Sequence, residues 1–100
     1  MSGGAYIYIL LCSDGSYYTG ITKRALEERF SEHVNGAYPD CYTFRRRPVE
    51  LIYSEFHERI AEAVATERRI KGWSRAKKEA YIKGDFDGLV RLAKRRGGKS

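Results

Sequence analysis

The sequence predicts an α+β fold built as one domain, and three observations carry that reading. Residues 6–12 ("YIYILLC") and 16–22 ("SYYTGIT") are short, rich in β-branched and aromatic residues, and separated by Ser-Asp-Gly, a strong hairpin signal. A third strand-like run, "PVELIYSEF", spans residues 48–56. The rest of the ordered chain shows helical periodicity. One hundred residues bury one modest core, so residues 1–96 form a single domain and residues 97–100 a flexible basic tail.

The elements follow in the order β-β-α-β-α-α-α. After the hairpin, Thr22 offers a helix N-cap. Residues 24–34 repeat apolar side chains every four (Leu26, Phe30, Val34), with Glu27 and Glu28 in the first turn and Asn35-Gly36 as the stop. Residues 36–47, "GAYPDCYTFRRR", have no period and are long for a connection in a small domain, which points to a functional or a disordered loop. Residues 58–71 form a second helix ended by Gly72. Ser74 caps a third to about Lys83, closed by Gly84, and Asp85 caps a last one to about Lys94.

Side-chain parity selects the hairpin register. A two-residue Asp14-Gly15 loop mixes polar and apolar residues on both faces. A three-residue loop, Ser13-Asp14-Gly15 with glycine in the left-handed position, sets Cys12 opposite Ser16 and Tyr8 opposite Gly20. One face then carries Ile7, Ile9, Leu11, Tyr17, Thr19 and Ile21. The other carries Tyr6, Tyr8, Leu10, Tyr18 and Gly20, so Tyr8 and Tyr18 stand together above a glycine that leaves room for a ligand. On the first helix Arg29 and His33 are four apart, stacked at the edge of the apolar stripe. On the second, Glu67 falls inside the apolar arc of Ile60, Ala63, Val64 and Ile70, where a carboxylate is costly unless it meets a metal or a cation such as Arg29.

Charge is segregated. Residues 1–67 hold seven Lys/Arg against ten Asp/Glu, net −3; residues 68–100 hold twelve against three, net +9. Such a surface suits a polyanion, and nucleic acid is the first partner to consider. Cys12 and Cys41 lack metal-ligand spacing and read as free thiols. No apolar run reaches membrane-spanning length and no signal-peptide pattern opens the chain, so the expected address is the cytoplasm with no membrane partner.

The ordered set of "YIY", "YTG", "ERFSEH" and Glu67 within "AVATERRIKGWSRAKKEA" resembles the GIY-YIG nuclease superfamily over nearly the whole chain, in particular its short stand-alone bacterial branch. Two positions depart from the usual pattern: Tyr6 replaces the first glycine, and Thr19 replaces an aliphatic residue. The asparagine that some members place near the metal has no counterpart after the second helix.

The resemblance implies a three-stranded antiparallel sheet flanked by helices, and phosphodiester hydrolysis with one divalent metal, Mg²⁺ or Mn²⁺. Glu67 is the implied metal ligand, since a hard cation keeps its waters and needs one protein carboxylate. Arg29 clamps the phosphate. Tyr8 is favoured as proton acceptor from the attacking water and Tyr18 as its orienter, with the assignment between them open. A tyrosine does this near neutrality where Arg29, His33 and the metal depress its pKa. His33 is a phosphate donor or proton shuttle, and Gly20 belongs to the structural motif.

Around the site, Arg45, Arg46 and Arg47 on the long loop, with Lys71, Arg75, Lys77 and Lys78, are expected on backbone phosphates. Tyr42 and Phe44 either stack on an unpaired base or pin the loop to the body. The leading expectation is a structure-directed or weakly sequence-specific endonuclease in DNA repair or processing. It acts as a monomer on DNA in preference to RNA, either with a protein partner to aid recognition or with a low activity of its own. The rivals are a non-catalytic nucleic-acid-binding protein on the same scaffold and a basic module that docks an acidic protein.

Overall fold

The computed structural model describes residues 3–85 and 87–91. Strands β1 (Ala5–Leu11), β2 (Tyr17–Thr22) and β3 (Glu50–His57) form one antiparallel sheet in the order β2-β1-β3. Helix α1 (Leu26–Asn35) follows β2, while α2 (Ile60–Lys71) and α3 (Arg75–Lys83) follow β3. A short 3₁₀ turn, Phe44–Arg46, interrupts the long loop. Residues 87–91 begin a further helix, capped as expected by Asp85, whose Oδ1 accepts from the Gly88 amide at 2.8 Å. The expected end of that helix at Lys94 and the tail 97–100 lie outside the described residues. No described helix is long and apolar enough to cross a membrane.

The hairpin adopts the three-residue register. The Cys12 amide donates to Ser16 O at 2.9 Å, Gly15 has φ 85°, and Tyr8 lies opposite Gly20. Left-handed φ is available to glycine without a Cβ clash, which is why Gly15 sits there. As the central strand, β1 is covered on both sides. Ala63 and Ile70 of α2 seal Ile7 and Ile9, with Tyr81 and Ile82 of α3 packed around them. Each fully buried isoleucine contributes about 1.5–3 kcal/mol relative to exposure. The opposite face belongs to Tyr8 and Leu10, both buried, and α1 lies over it through His33.

Three local expectations are corrected. Thr22 does not cap α1: it is still paired in β2, its hydroxyl accepts from the Arg24 amide at 3.1 Å, and the helix starts after Ala25. Val34 is 43% exposed whereas His33 is 2% exposed, because the floor beneath α1 is a polar pocket around a tyrosine hydroxyl. The second helix starts at Ile60, since β3 runs on to His57. Gly72 ends α2 as expected, with a right-handed φ of −84°, so it stops the helix without needing glycine's extra freedom.

Candidate active site

Three of the residues singled out in the sequence meet at one hydroxyl. Tyr8, 1% exposed at the centre of the sheet, lies 2.9 Å from His33 Nε2 and accepts from Arg29 Nε at 3.2 Å. Because arginine has no acceptor, the Tyr8 oxygen is the acceptor in that contact. Thr43 gives its hydroxyl proton to Cys41 Sγ at 3.4 Å and so accepts from His33, which leaves Nε2 to accept the Tyr8 proton. His33 therefore carries its proton on Nδ1 and donates it to Thr43 Oγ1, 2.8 Å away. The result is a directional chain, Tyr8 to His33 to Thr43, drawn from a strand, a helix and the long loop.

The electrostatics differ from the expectation. Burial pushes the Tyr8 phenol above its ordinary value despite the opposing hydrogen bond and charge of Arg29. Tyr18 is raised too, first by burial and then by the neighbouring Tyr8. The depressed tyrosine pKa expected from Arg29 and His33 is thus absent in the free protein. Burial and the Arg29 charge instead push His33 down to about 4, so the imidazole is neutral at pH 7 and its Nε2 is an acceptor. Basic capacity at this site resides on His33. Arg29 is held in place by Glu32 at 3.0 Å, and Glu32, shared with Arg24 at 2.7 Å, is driven down to about 2 by Arg24 first and Arg29 next.

A stability prediction follows from His33. Its folded pKa lies below the unfolded value of 6.5, so the unfolded chain takes up the proton first as pH falls. Stability should be full above pH 6.5, decline between about 6.5 and 4, and change no further from this group below that window; the loss is at most about 3 kcal/mol. Urea titrations across that range should show the decline in wild type and a flatter profile in His33→Gln. Parallel profiles would disprove the buried neutral imidazole.

Tyr18 stands beside this chain, its ring centroid 6.4 Å from Tyr8 and 5.3 Å from His33. Tyr42 stacks on its other side at 6.0 Å. Tyr42 is itself clamped: its hydroxyl donates to Ser16 Oγ at 3.0 Å, and the Arg46 guanidinium covers its free face at 3.7 Å. Arg46 also holds Asp14 at 3.1 Å and the Tyr42 carbonyl at 2.9 Å. Arg47 lies over Phe44 and donates to its carbonyl at 2.9 Å. Of the two roles open to Tyr42 and Phe44, the structure therefore shows the pinning one in place. Arg46 fastens the loop to the hairpin and Arg47 lies against Gly36 at the α1 end, whereas Arg45 is exposed with no such contact among the described residues.

The remaining candidates gather on the other side of Tyr18. Glu67, 7% exposed, is the one buried carboxylate among the described residues. Its partner is Lys71 at 2.8 Å, not Arg29. Among the described residues no three His, Cys, Asp or Glu side chains gather as a metal cluster. A lone buried carboxylate paired with a displaceable lysine, with no thiolate or imidazole described beside it, fits a hard, largely hydrated cation and no softer metal. Lys71 and Lys78 line a cleft of about 320 Å³ together with Tyr17, Tyr18, Thr19 and Tyr42. Thr19 Oγ1 is buried there without a hydrogen-bond partner. Arg75 is committed to Glu79, the Gly15 carbonyl and the Tyr17 ring, and Lys77 to the face of Trp73.

Sequence reasoning missed Thr43 and Cys41, which orient His33 from an aperiodic loop where spacing carries no information. It also missed Glu32, which the three-residue step from Arg29 along the helix would have revealed.

A glycine-floored tyrosine pair on a hairpin, an arginine and histidine from the next helix and a lone buried glutamate are the set on which the resemblance to the GIY-YIG superfamily rests. The chain matches the GIY-YIG catalytic domain over residues 4–80 and belongs to that family. It is similar to short single-domain bacterial proteins called UPF0213. One, from Staphylococcus saprophyticus, is 48% identical over 77 residues, covering 77% of this chain and 92% of that protein. Another, from Syntrophus aciditrophicus, is 44% identical over 78 residues, covering 78% and 88%. The solution structure of protein EF2693 from E. faecalis has 37% identity and a TM-score of 0.59 and covers 86% of this chain and 92% of its own. The sheet order and helix sequence expected from the resemblance are thus the family's.

Proposed function

We propose that the protein is a metal-dependent endonuclease that hydrolyses phosphodiester bonds in DNA, directed by structure or weakly by sequence, in repair or processing. The observation that carries this reading is the Arg29–Tyr8–His33 chain, since a binding surface has no need of a buried proton acceptor behind a phenol. In the free protein Arg29 Nε occupies an acceptor position on the Tyr8 oxygen. When the guanidinium turns onto a substrate phosphate, that position falls open to the attacking water. The water oxygen bonds to phosphorus, its proton passes to Tyr8, and the Tyr8 proton passes to His33 Nε2, so the phenol never needs to ionise. This supports Tyr8 over Tyr18 as acceptor, because an acceptor stands behind Tyr8. Tyr18, on the cleft wall, orients the water or the phosphate. Mg²⁺ or Mn²⁺ held by Glu67 would offset negative charge on the phosphate oxygens. Lys71 must then leave Glu67, and it joins Arg45 in holding backbone phosphates.

One observation favours the rival reading of a non-catalytic nucleic-acid-binding protein: Glu67 already has a cation, Lys71, at 2.8 Å. A cleavage panel separates the two. Duplex, single-stranded, flapped and branched DNA, and RNA, are incubated with Mg²⁺, Mn²⁺ or chelator. Cleavage of at least one DNA substrate that stops with chelator is expected. Binding without cleavage under every metal condition would establish the rival.

A further inference from the structure

The cations around the site are nearly all committed. Lys71 is bonded to Glu67, Arg75 to Glu79, Arg46 to Asp14, and Lys77 covers Trp73. Lys78 is different: its side chain has no ion pair or hydrogen bond among the described residues, yet it is half-buried in the wall of the 320 Å³ cleft beside Tyr18. Partial burial of an ammonium without a counter-ion is unfavourable, and the cost is offset when an anion enters the cleft. Its position is also specific. Tyr8, Arg29 and His33 approach Tyr18 over one face of the sheet. Lys78 comes from α3, which packs on the other face, and lines the same cleft as Tyr18, a residue of the edge strand β2.

Phosphoryl displacement places the attacking and leaving oxygens roughly in line on opposite sides of phosphorus. With water activated on the Tyr8 side, the leaving oxygen is directed to the α3 side. We propose that Lys78 is the general acid of the reaction, donating its ammonium proton to the leaving oxygen; the assignment rests on the nuclease reading above. The balance is complete: a water O–P bond forms and the P–O bond to the leaving sugar breaks. One proton goes to Tyr8 and on to His33, and one goes from Lys78 to the departing oxygen. Solvent restores the lysine.

The titratable and charged groups facing Lys78 are Tyr17, Tyr18 and Tyr42, the Lys71 ammonium, and Glu79 and Arg75 on its own helix, which pair with each other. Burial holds the Lys78 pKa below the ordinary lysine value, which eases proton release.

The test compares wild type with Lys78→Arg, which keeps the charge but cannot release a proton, and with Lys78→Gln. The substrates are an oligonucleotide cleaved by the wild type and the same oligonucleotide with a bridging sulfur at the scissile linkage, whose thiolate departs without protonation. Both variants should melt like wild type and cleave the oxygen substrate about 100-fold more slowly, while cleaving the sulfur substrate at close to the wild-type rate. The alkaline decline in the wild-type rate should disappear in Lys78→Arg. Equal loss on both substrates would make Lys78 a positioning cation only, and an unchanged rate would make it a bystander; either overturns the proposal. A wild type that cleaves neither substrate with Mg²⁺ or Mn²⁺ removes the nuclease reading and the role of Lys78 with it.

Discussion

Glu67→Gln should fold normally, bind nucleic acid at least as well as wild type, and lose cleavage by on the order of 1000-fold or more. The change removes a charge and one oxygen acceptor while keeping the side chain's size. Its effect on stability depends on which cation Glu67 serves. Were Arg29 the partner, neutralising Glu67 would strand a partly buried guanidinium at a cost of about 3 kcal/mol. The partner is Lys71, whose side chain is 55% exposed and returns to water, so a loss of about 1 kcal/mol or less is expected. Arg29 keeps Glu32 throughout. Catalysis is another matter, because in the proposed reaction a single carboxylate would supply the protein's whole hold on the cation, and the charge stabilisation at stake is several kcal/mol. Binding should persist or improve, since phosphate no longer meets a carboxylate. Thermal melting, a binding isotherm and a Mg²⁺ titration of cleavage on the one variant check all three. A large drop in melting temperature together with a wild type that never cleaves would make Glu67 structural.

Gly20→Ala should be the most damaging small substitution in the sheet. A Cβ at Gly20 would sit 2.4 Å from Tyr8 Cζ and 2.4 Å from its hydroxyl oxygen, closer than such atoms approach. The backbone there is not in the left-handed region, so the penalty is one of packing. Tyr8 has no free volume to retreat into: it is buried, with His33 and Arg29 on its hydroxyl and Tyr18 beside its ring. Overpacking costs about 1–3 kcal/mol, and displacing the phenol weakens two hydrogen bonds worth about 1 kcal/mol each. A total near 3 kcal/mol is expected, with cleavage falling about 100-fold from a shift of the reacting group on the order of 1 Å. Gly3→Ala, where a Cβ would meet nothing within 4 Å, is the matched control and should change neither quantity. Denaturant unfolding and cleavage rates on the pair decide it; a Gly20→Ala protein as stable and active as the control would refute the tyrosine-over-glycine packing.

Much of the scaffold was legible in the sequence because it depends on local rules. The hairpin register followed from parity and the Gly15 turn, and it alone put Tyr8, Tyr18 and Gly20 on one face. Ser74 and Gly84 bound α3 as their types suggest, with Ser74 Oγ accepting from the Lys77 amide at 3.2 Å. Arg29 and His33 on one helix edge, and Glu67 facing inward on α2, follow from a period of 3.6 residues. Thr22 misled because a hydroxyl before a helix can serve a turn as readily as a cap, and pairing with Tyr6 kept it in the strand.

By itself, then, the sequence determined the sheet and helices, the tyrosine face and the family. Which side chain serves which was decided by tertiary structure. Lys71 rather than Arg29 meets Glu67, Thr43 sets the His33 tautomer from an aperiodic loop, Arg46 closes over Tyr42, and Lys78 is left beside the cleft without a partner among the described residues. Strand parity and helical period act over a few residues along the chain. Pairing across elements depends on where helices seat on the sheet and on how burial shifts each proton, and burial, which raised Tyr8 and lowered His33, arises only once the layers have closed.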